Sequence, residues 1–195
     1  GDAAQTVVEI QAGKSFTCAL MVGTRALKCW GTGLDVLGRP ADTFFPLGAI
    51  PAVDLGTNAH VVSYSVGYAH ACALLDSAAL KCWGANWNGQ LGYSDTLRRG
   101  DTPETMGENL PAVDLGTARR AVHVAAGGSH TCVVTDVFTV KCWGAPSATG
   151  AQTPTGAPAT QTAPGSMGDA LAPVPLALDA NDFPVSVHAF TDSAC

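Results

Sequence analysis

A block ending in Lys-Cys-Trp-Gly is written three times in this chain, and no other feature restricts the fold as much. The copies run from Gly13 through Phe16-Thr17-Cys18 to Lys28-Cys29-Trp30-Gly31, from Gly67 through His70-Ala71-Cys72 to Lys81-Cys82-Trp83-Gly84, and from Gly127 through His130-Thr131-Cys132 to Lys141-Cys142-Trp143-Gly144. Their first cysteines stand 54 and 60 residues apart, and Pro51-Ala52-Val53-Asp54-Leu55-Gly56-Thr57 returns unaltered as Pro111-Ala112-Val113-Asp114-Leu115-Gly116-Thr117. Two independent motifs at one spacing mark tandem units, each a supersecondary element that buries its apolar faces only against its neighbours. The units span about 7–57, 60–117 and 121–180. Pro184–Cys195 aligns on Ala121–Cys132, which makes Cys195 the first cysteine of a fourth unit, unpaired here. The chain is therefore expected to be a piece of a longer protein.

Each unit holds four short runs. The first alternates apolar and polar residues (7–13, 60–67, 121–127), as a half-buried strand does. The second, such as Ala71–Leu75, is more continuously apolar, and a turn follows it. Those turns are Val22-Gly23-Thr24-Arg25, Asp76-Ser77-Ala78 and Asp136-Val137-Phe138. Asp and Gly suit turns; Phe138 does not. The third run ends in Lys-Cys-Trp-Gly, and the fourth is Pro-Ala-Val-Asp-Leu. Four strands in about 55–60 residues, with little helical periodicity, is the arithmetic of a β-propeller blade. The expected fold is all-β, a segment of about three four-stranded blades plus the start of a fourth, occupying 1–195. Segments 32–50, 85–110 and 145–171 exceed ordinary connection lengths and are expected to be surface excursions. Residues 145–166, rich in Pro, Thr and Ala and without charge, read as an extended solvent loop, either unmodified or carrying O-glycans.

Apolar residues make up 47% of the chain and charged ones 13%, with a net charge of −6 and no basic run. That disfavours a nucleic-acid partner. No apolar stretch nears the roughly 20 residues of a membrane span.

The cysteines pair by arithmetic. In an antiparallel hairpin, facing residues share a common sum, so Cys72 and Cys82 centre on Ser77, and Cys132 and Cys142 on Val137. Cys18 and Cys29 enclose one extra residue, which a bulge or a longer turn absorbs. Facing Cα atoms lie within bridging distance, so three disulfides are expected, 18–29, 72–82 and 132–142. Each closes a short loop worth roughly 2–3 kcal/mol. Persistent disulfides imply an extracellular, cell-surface or periplasmic protein. Buried free thiols are the competing reading, and the absence of Cys-x-x-Cys spacing disfavours zinc.

These residues resemble the regulator of chromosome condensation repeat family, whose unit reads as Gly-Gly-x-His-Thr, an Asp-Gly turn, Trp-Gly and Gly-Gln-Leu-Gly. The second unit matches best, with His70, Asp76, Trp83-Gly84, Asn86 and Gly89-Gln90-Leu91-Gly92. The third keeps Gly127-Gly128-Ser129-His130-Thr131 and Trp143-Gly144; the first has Phe16 in the histidine place and only Leu37-Gly38 at the loop. The resemblance implies a propeller, usually of seven blades, within a family of unrelated activities. One member is a nuclear guanine nucleotide exchange factor, a role that an acidic, cysteine-paired chain does not suit. Another is a plant ultraviolet-B photoreceptor that uses clustered tryptophans. A secreted bacterial β-lactamase inhibitor also resembles this fold and binds protein. The paired cysteines look like an exported branch of the family.

Fold analogy alone does not give function, which rests on the chemistry of particular residues. His70 and His130 occupy the repeat consensus, and their side chains are expected to bond backbone between blades. Trp30, Trp83 and Trp143 are expected to be core, and Asp54 and Asp114 structural. No nucleophile, catalytic set, metal site or cofactor site stands out. Loops 32–50 and 85–110, with Trp87, Arg98 and Arg99, are the candidate partner-binding surface. The sequence thus points to a non-catalytic extracellular or cell-surface scaffold. Its terminal blade edges would be covered by missing repeats, further copies of itself or a protein partner. A carbohydrate-binding or enzymatic propeller mouth is the alternative, ahead of nucleotide exchange.

Overall fold

The computed structural model describes residues 6–32, 49–145, 165–176, 179 and 182–189. Cys195, nearly all of the loop at 32–50 and most of 145–166 lie outside these residues. Among the described residues, nine strands form three antiparallel sheets: β1 (Val7–Ala12), β2 (Phe16–Met21) and β3 (Leu27–Gly31); β4 (Val61–Val66), β5 (His70–Leu75) and β6 (Leu80–Gly84); β7 (Ala121–Ala126), β8 (His130–Thr135) and β9 (Val140–Gly144). Each sheet is a meander in chain order, and each pairs its first two strands with a register shift at the same place, between Val7 and Glu9, Val61 and Ser63, and Ala121 and His123. These bulges recur with the repeat, as designed features do.

The fourth run departs from the expected four-stranded blade. Pro51–Leu55 and Pro111–Leu115 carry no strand. Each lies against the third strand through one backbone bond: Val53 N–H donates to Leu27 O at 2.7 Å, Val113 N–H to Leu80 O at 2.7 Å, and Val174 N–H to Val140 O at 2.7 Å. Pro51 and Pro111 have no N–H to continue a ladder, so the fourth element is an extended clamp on the blade rim.

Pairing in the hairpins follows the cysteine arithmetic. Cys18 faces Cys29, Cys72 faces Cys82 and Cys132 faces Cys142. The extra residue in the first unit sits in the turn, since β2 and β3 pair from Phe16–Gly31 to Leu20–Leu27 with no shift.

Side-chain alternation explains how the sheets stack. In β5 and β6, Ala71, Ala73, Leu75 and Trp83 join a core with Phe16, Cys18, Leu20, Leu27 and Cys29 of the first sheet. The opposite parity, Cys72, Leu74, Leu80 and Cys82, joins Val133 and Trp143 of the third. Cys132, Val134, Val140 and Cys142 are covered in turn by Val174 and Val187. Every blade therefore turns its cysteines forward and its tryptophan backward. Trp83 and Trp143 are buried against the preceding blade, whereas Trp30 is only half-buried.

Close approach along the first strands requires glycine. A Cβ on Gly67 would collide with the carbonyl of Gly127, and one on Gly13 with the carbonyl of Gly67. Lys14 N–H donates to Tyr68 O at 3.2 Å and Tyr68 N–H to Gly127 O at 3.0 Å, so the β1–β2, β4–β5 and β7–β8 turns form a hydrogen-bonded arc.

The turns between second and third strands place Arg25, Ala78 and Phe138 at φ 53°, 66° and 58°. Left-handed backbone costs an L-residue about 1–2 kcal/mol. Ala78→Gly is expected to raise the unfolding free energy by about 0.5–1 kcal/mol, the relief being partly offset by glycine's entropy. Trp83→Ala is expected to lower it by about 3–5 kcal/mol, clearly more than Trp30→Ala. Urea unfolding monitored by circular dichroism measures both, and equal losses at Trp83 and Trp30 would contradict the stacking described.

Candidate functional site

A buried lysine positions the second unit and another the third. Lys81 Nζ donates to Leu55 O at 2.8 Å and to Gly107 O at 2.9 Å; Lys141 Nζ donates to Leu115 O at 2.9 Å and Gly168 O at 2.8 Å. A desolvated ammonium is costly unless its donors are used, and these are. Burial pulls the Lys141 amine below its ordinary range, against the opposing pull of Asp169. Each lysine thus ties the end of the preceding unit to a 3₁₀ turn in its own, at Gly107–Asn109 or Gly168–Ala170. Thr57 N–H donates to Glu108 Oε1 at 2.7 Å, and Thr117 donates through N–H and Oγ1 to Asp169 at 2.9 and 2.6 Å. Asp54 and Asp114 close local turns by accepting from Gly56 N–H (3.0 Å) and Gly116 N–H (2.9 Å). All of these carboxylates have structural work.

The loop at 85–110 departs from the expected surface excursion. Asn86 is fully buried: its Nδ2 donates to Asp95 Oδ1, Asp95 O and Leu97 O at 2.9–3.1 Å, and its Oδ1 accepts Leu91 N–H at 2.9 Å. Leu91 inserts into the core between the second and third blades. The carbonyl of Gln90 accepts from Thr131 Oγ1 at 2.8 Å and Trp143 Nε1 at 3.0 Å. The Gly-Gln-Leu-Gly segment is therefore a wedge between blades. The Tyr93 hydroxyl caps the outer edge of β6, accepting Cys82 N–H at 3.0 Å and donating to Cys82 O at 2.9 Å. Burial pushes that phenol above its ordinary range.

Arg99 belongs to this internal scaffold. Its backbone pairs with Gly84, its guanidinium meets Asp95 through Nη1 at 3.1 Å and Nη2 at 2.8 Å, and it lies 4.2 Å from the Tyr93 ring centre. The side chain is 16% exposed, so it presents little to a partner. Burial opposes ionisation of Asp95, but the Arg99 and Leu97 hydrogen bonds hold its carboxyl below the ordinary range. Trp87, by contrast, is 68% exposed, as is Leu97 at 67%. Arg98 is outward too and meets Asp101 at 3.0 Å. Leu97 left no motif in the sequence.

His70 bonds across blades to a side chain and not to backbone: Nε2 lies 2.9 Å from Thr131 Oγ1. Thr131 spends its proton on Gln90 O, so Nε2 carries the imidazole hydrogen. Burial, with His130 adding to it, pulls the His70 pKa down to about 3. Between pH 6.5 and 3 the unfolded chain therefore takes up a proton that the folded chain refuses. The stability that depends on neutral His70 is whole above pH 6.5 and is lost as pH falls through that window. A second histidine contact joins His123 of β7 to His188 in the following unit, with ring centres 6.1 Å apart. Burial, then His188, lowers the His123 pKa.

Among the described residues three disulfides are present: Cys18–Cys29, Cys72–Cys82 and Cys132–Cys142, each with Cα atoms 4.1 Å apart. All six cysteines are buried between blades. Among the described residues there is no group of three or more His, Cys, Asp or Glu placed to hold a metal, and no helix long and apolar enough to cross a membrane.

Part of the chain matches a known repeat. The profile of the regulator of chromosome condensation (RCC1) repeat matches residues 82–134, and a second profile of that repeat matches 61–90. The chain is 31% identical over 84 residues to the probable E3 ubiquitin-protein ligase HERC4 of Homo sapiens, covering 43% of this chain and 7% of the ligase, with the same figures for the Rattus norvegicus protein. Among solved structures it is similar to yeast RCC1 (Prp20) bound to Kap60, with TM-score 0.64 and 22% identity over 98% of this chain and 41% of that one. Prp20p from Saccharomyces cerevisiae gives TM-score 0.66 at 22% identity, covering 98% and 43%. The receptor kinase CR4 ectodomain of Physcomitrella patens gives 0.51 at 22%, covering 98% and 38%. The chain thus spans 7% of the ligase and less than half of each propeller.

The His70 assignment predicts that wild-type stability falls between pH 6.5 and 3 with a contribution from this group of up to about 1.4 kcal/mol per pH unit. His70→Asn should flatten that slope by one proton in denaturant titrations at several pH values; an unchanged slope contradicts it. The three sheets are partial-propeller blades, and residues 61–134 of the tandem units that build them match the regulator of chromosome condensation (RCC1) repeat.

Proposed function

We propose that this chain is part of an exported, non-catalytic scaffold that binds protein through the loop at 85–110. The observation that carries this reading is the display of Trp87 and Leu97 on a loop held by the internal bonds of Asn86, Asp95 and Arg99. A rigidly held, exposed aromatic is what a binding hot spot needs, because little side-chain freedom is lost on contact. Trp87 and Leu97 lie at the Gly84 end of β6, the same end as the β4–β5 turn, so they project from one face of the fan.

The address outside the cell rests on the disulfides. Three cross-strand bonds would be reduced or absent in a cytosolic glutathione pool. The similar ectodomain of the Physcomitrella patens receptor kinase CR4 supports that address, and yeast RCC1 was solved bound to Kap60, another protein. O-glycans on 145–166 fit the same compartment.

The test is capture of the native partner by the intact protein. Trp87→Ala combined with Leu97→Ala should abolish capture while leaving the melting temperature within about 1 °C, because neither side chain supports the core. Undiminished capture would remove the loop from the interface. Free thiols at Cys72 and Cys82 in native protein, found by non-reducing peptide mapping, would remove the exported compartment.

A further inference from the structure

The turn between β8 and β9 carries a residue that its geometry disfavours. Phe138 stands at φ 58°, where Arg25 and Ala78 stand in the other units, and a bulky side chain there is an outlier. Its ring meets Phe183 of the following unit at 5.2 Å between centres, tilted by 47°. That contact covers only part of either ring: Phe138 stays 50% exposed, Phe183 60% and Val137 44%. The apolar surface is specific to this turn, since the equivalent positions are Ser77-Ala78 and Thr24-Arg25.

Its border is acidic. Asp136 precedes Val137 and Phe138 and is exposed, and Asp182 adjoins Phe183, with its N–H bonded to Asp179 O at 2.9 Å. Of the basic residues nearby, Arg119 interacts with Asp169. Arg120 is held by its backbone to Asp136, at 2.9 Å from Asp136 N–H to Arg120 O and 3.3 Å from Arg120 N–H to Asp136 Oδ1, and the carboxylates of Asp136, Asp179 and Asp182 outnumber its one positive charge. The whole chain carries −6. Aromatic faces flanked by carboxylates attract guanidinium and ammonium groups by cation–π and ionic attraction together.

We propose that the Phe138–Phe183 pair and the carboxylates of Asp136, Asp179 and Asp182 form a second docking surface, for an extended arginine- or lysine-bearing segment of a protein partner. It lies at the β8–β9 turn, the opposite end of the strands from Trp87, so it does not depend on the loop surface. The backbone strain at Phe138 is kept because the ring has to face outward there.

Phe138→Gly separates this reading from a purely structural clamp, since glycine relieves the positive φ while deleting the ring. The intact chain should bind a fluorescent peptide of alternating arginine, glycine and serine in anisotropy titrations, more weakly as salt rises. Phe138→Gly should weaken binding at least about tenfold with an equal or higher melting temperature. Asp136→Asn with Asp182→Asn should weaken it and flatten the salt dependence, and Trp87→Ala should leave it unchanged. No binding by the wild type, equal binding of a glutamate or neutral peptide, or a Phe138→Gly protein that melts lower and keeps the peptide would each overturn the proposal.

Discussion

The alternation of side chains along the second and third strands is the constraint on which everything else rests. Sulfur faces one way and indole the other, and both faces are covered only by neighbouring units. A lone hairpin of this kind would expose a tryptophan on one side and a disulfide with its leucines on the other. Burial of such apolar area supplies the main favourable term in folding, so a unit acquires most of its stability from the next copy. Polar groups then fix the angle between copies. Lys81 and Lys141 have donors that only backbone carbonyls from two units can satisfy together, and the Tyr64 hydroxyl reaches Glu9 O and Cys18 O, both at 3.0 Å. Near the first strands, the missing Cβ of Gly67 lets one blade touch the next. Contact at the inner strands and wedges such as Leu91 farther out make the units splay as a fan.

This geometry gives the disulfides a particular character. Each lies on the forward face of its blade beneath the following unit, so reductant reaches it only if blades separate. Attack by an external thiolate needs access to sulfur. The bonds are therefore staples whose lifetime is coupled to blade packing, and the hairpin strands they join are already in register through their ladders. Their contribution acts on the unfolded chain, by shortening the loops it can explore.

Much of this architecture was legible because repetition amplifies weak signals. One Lys-Cys-Trp-Gly says little, whereas three at a shared spacing give strand pairing, register and cysteine partners by arithmetic. The failures are equally physical. Pro51–Leu55 has the apolar alternation of a strand, yet it forms a single bond to Leu27 because alternation reports burial and not ladder pairing. The segment at 85–110 looked like an excursion because Gly, Asn and Gln are loop residues. Their side-chain and backbone bonds to Asp95, Leu91 and Thr131 make them interior, and composition carries no trace of that. Arg99 next to Arg98 invited a shared role, but the two point differently, since Arg99 is drawn inward by Asp95 and Tyr93. Lys81 and Lys141, part of the repeat motif, would have been read as solvated from residue type alone.

The one turn residue that fitted no rule carries the most functional information. Where local chemistry and fold agree, as at Gly67, a residue's identity is explained by packing and says nothing about partners. Phe138 disagrees with its backbone, and its contact with Phe183 hides too little of the ring for core packing to be the reason. Ala78 occupies the same backbone state with a methyl group, which shows that the turn closes without an aromatic ring. A side chain that the fold neither requires nor favours, and that is exposed, is retained for what it meets from outside. By the same reasoning Trp87, set on a loop rigid enough to have held any residue, and not Trp83 or Trp143, is the indole available for recognition.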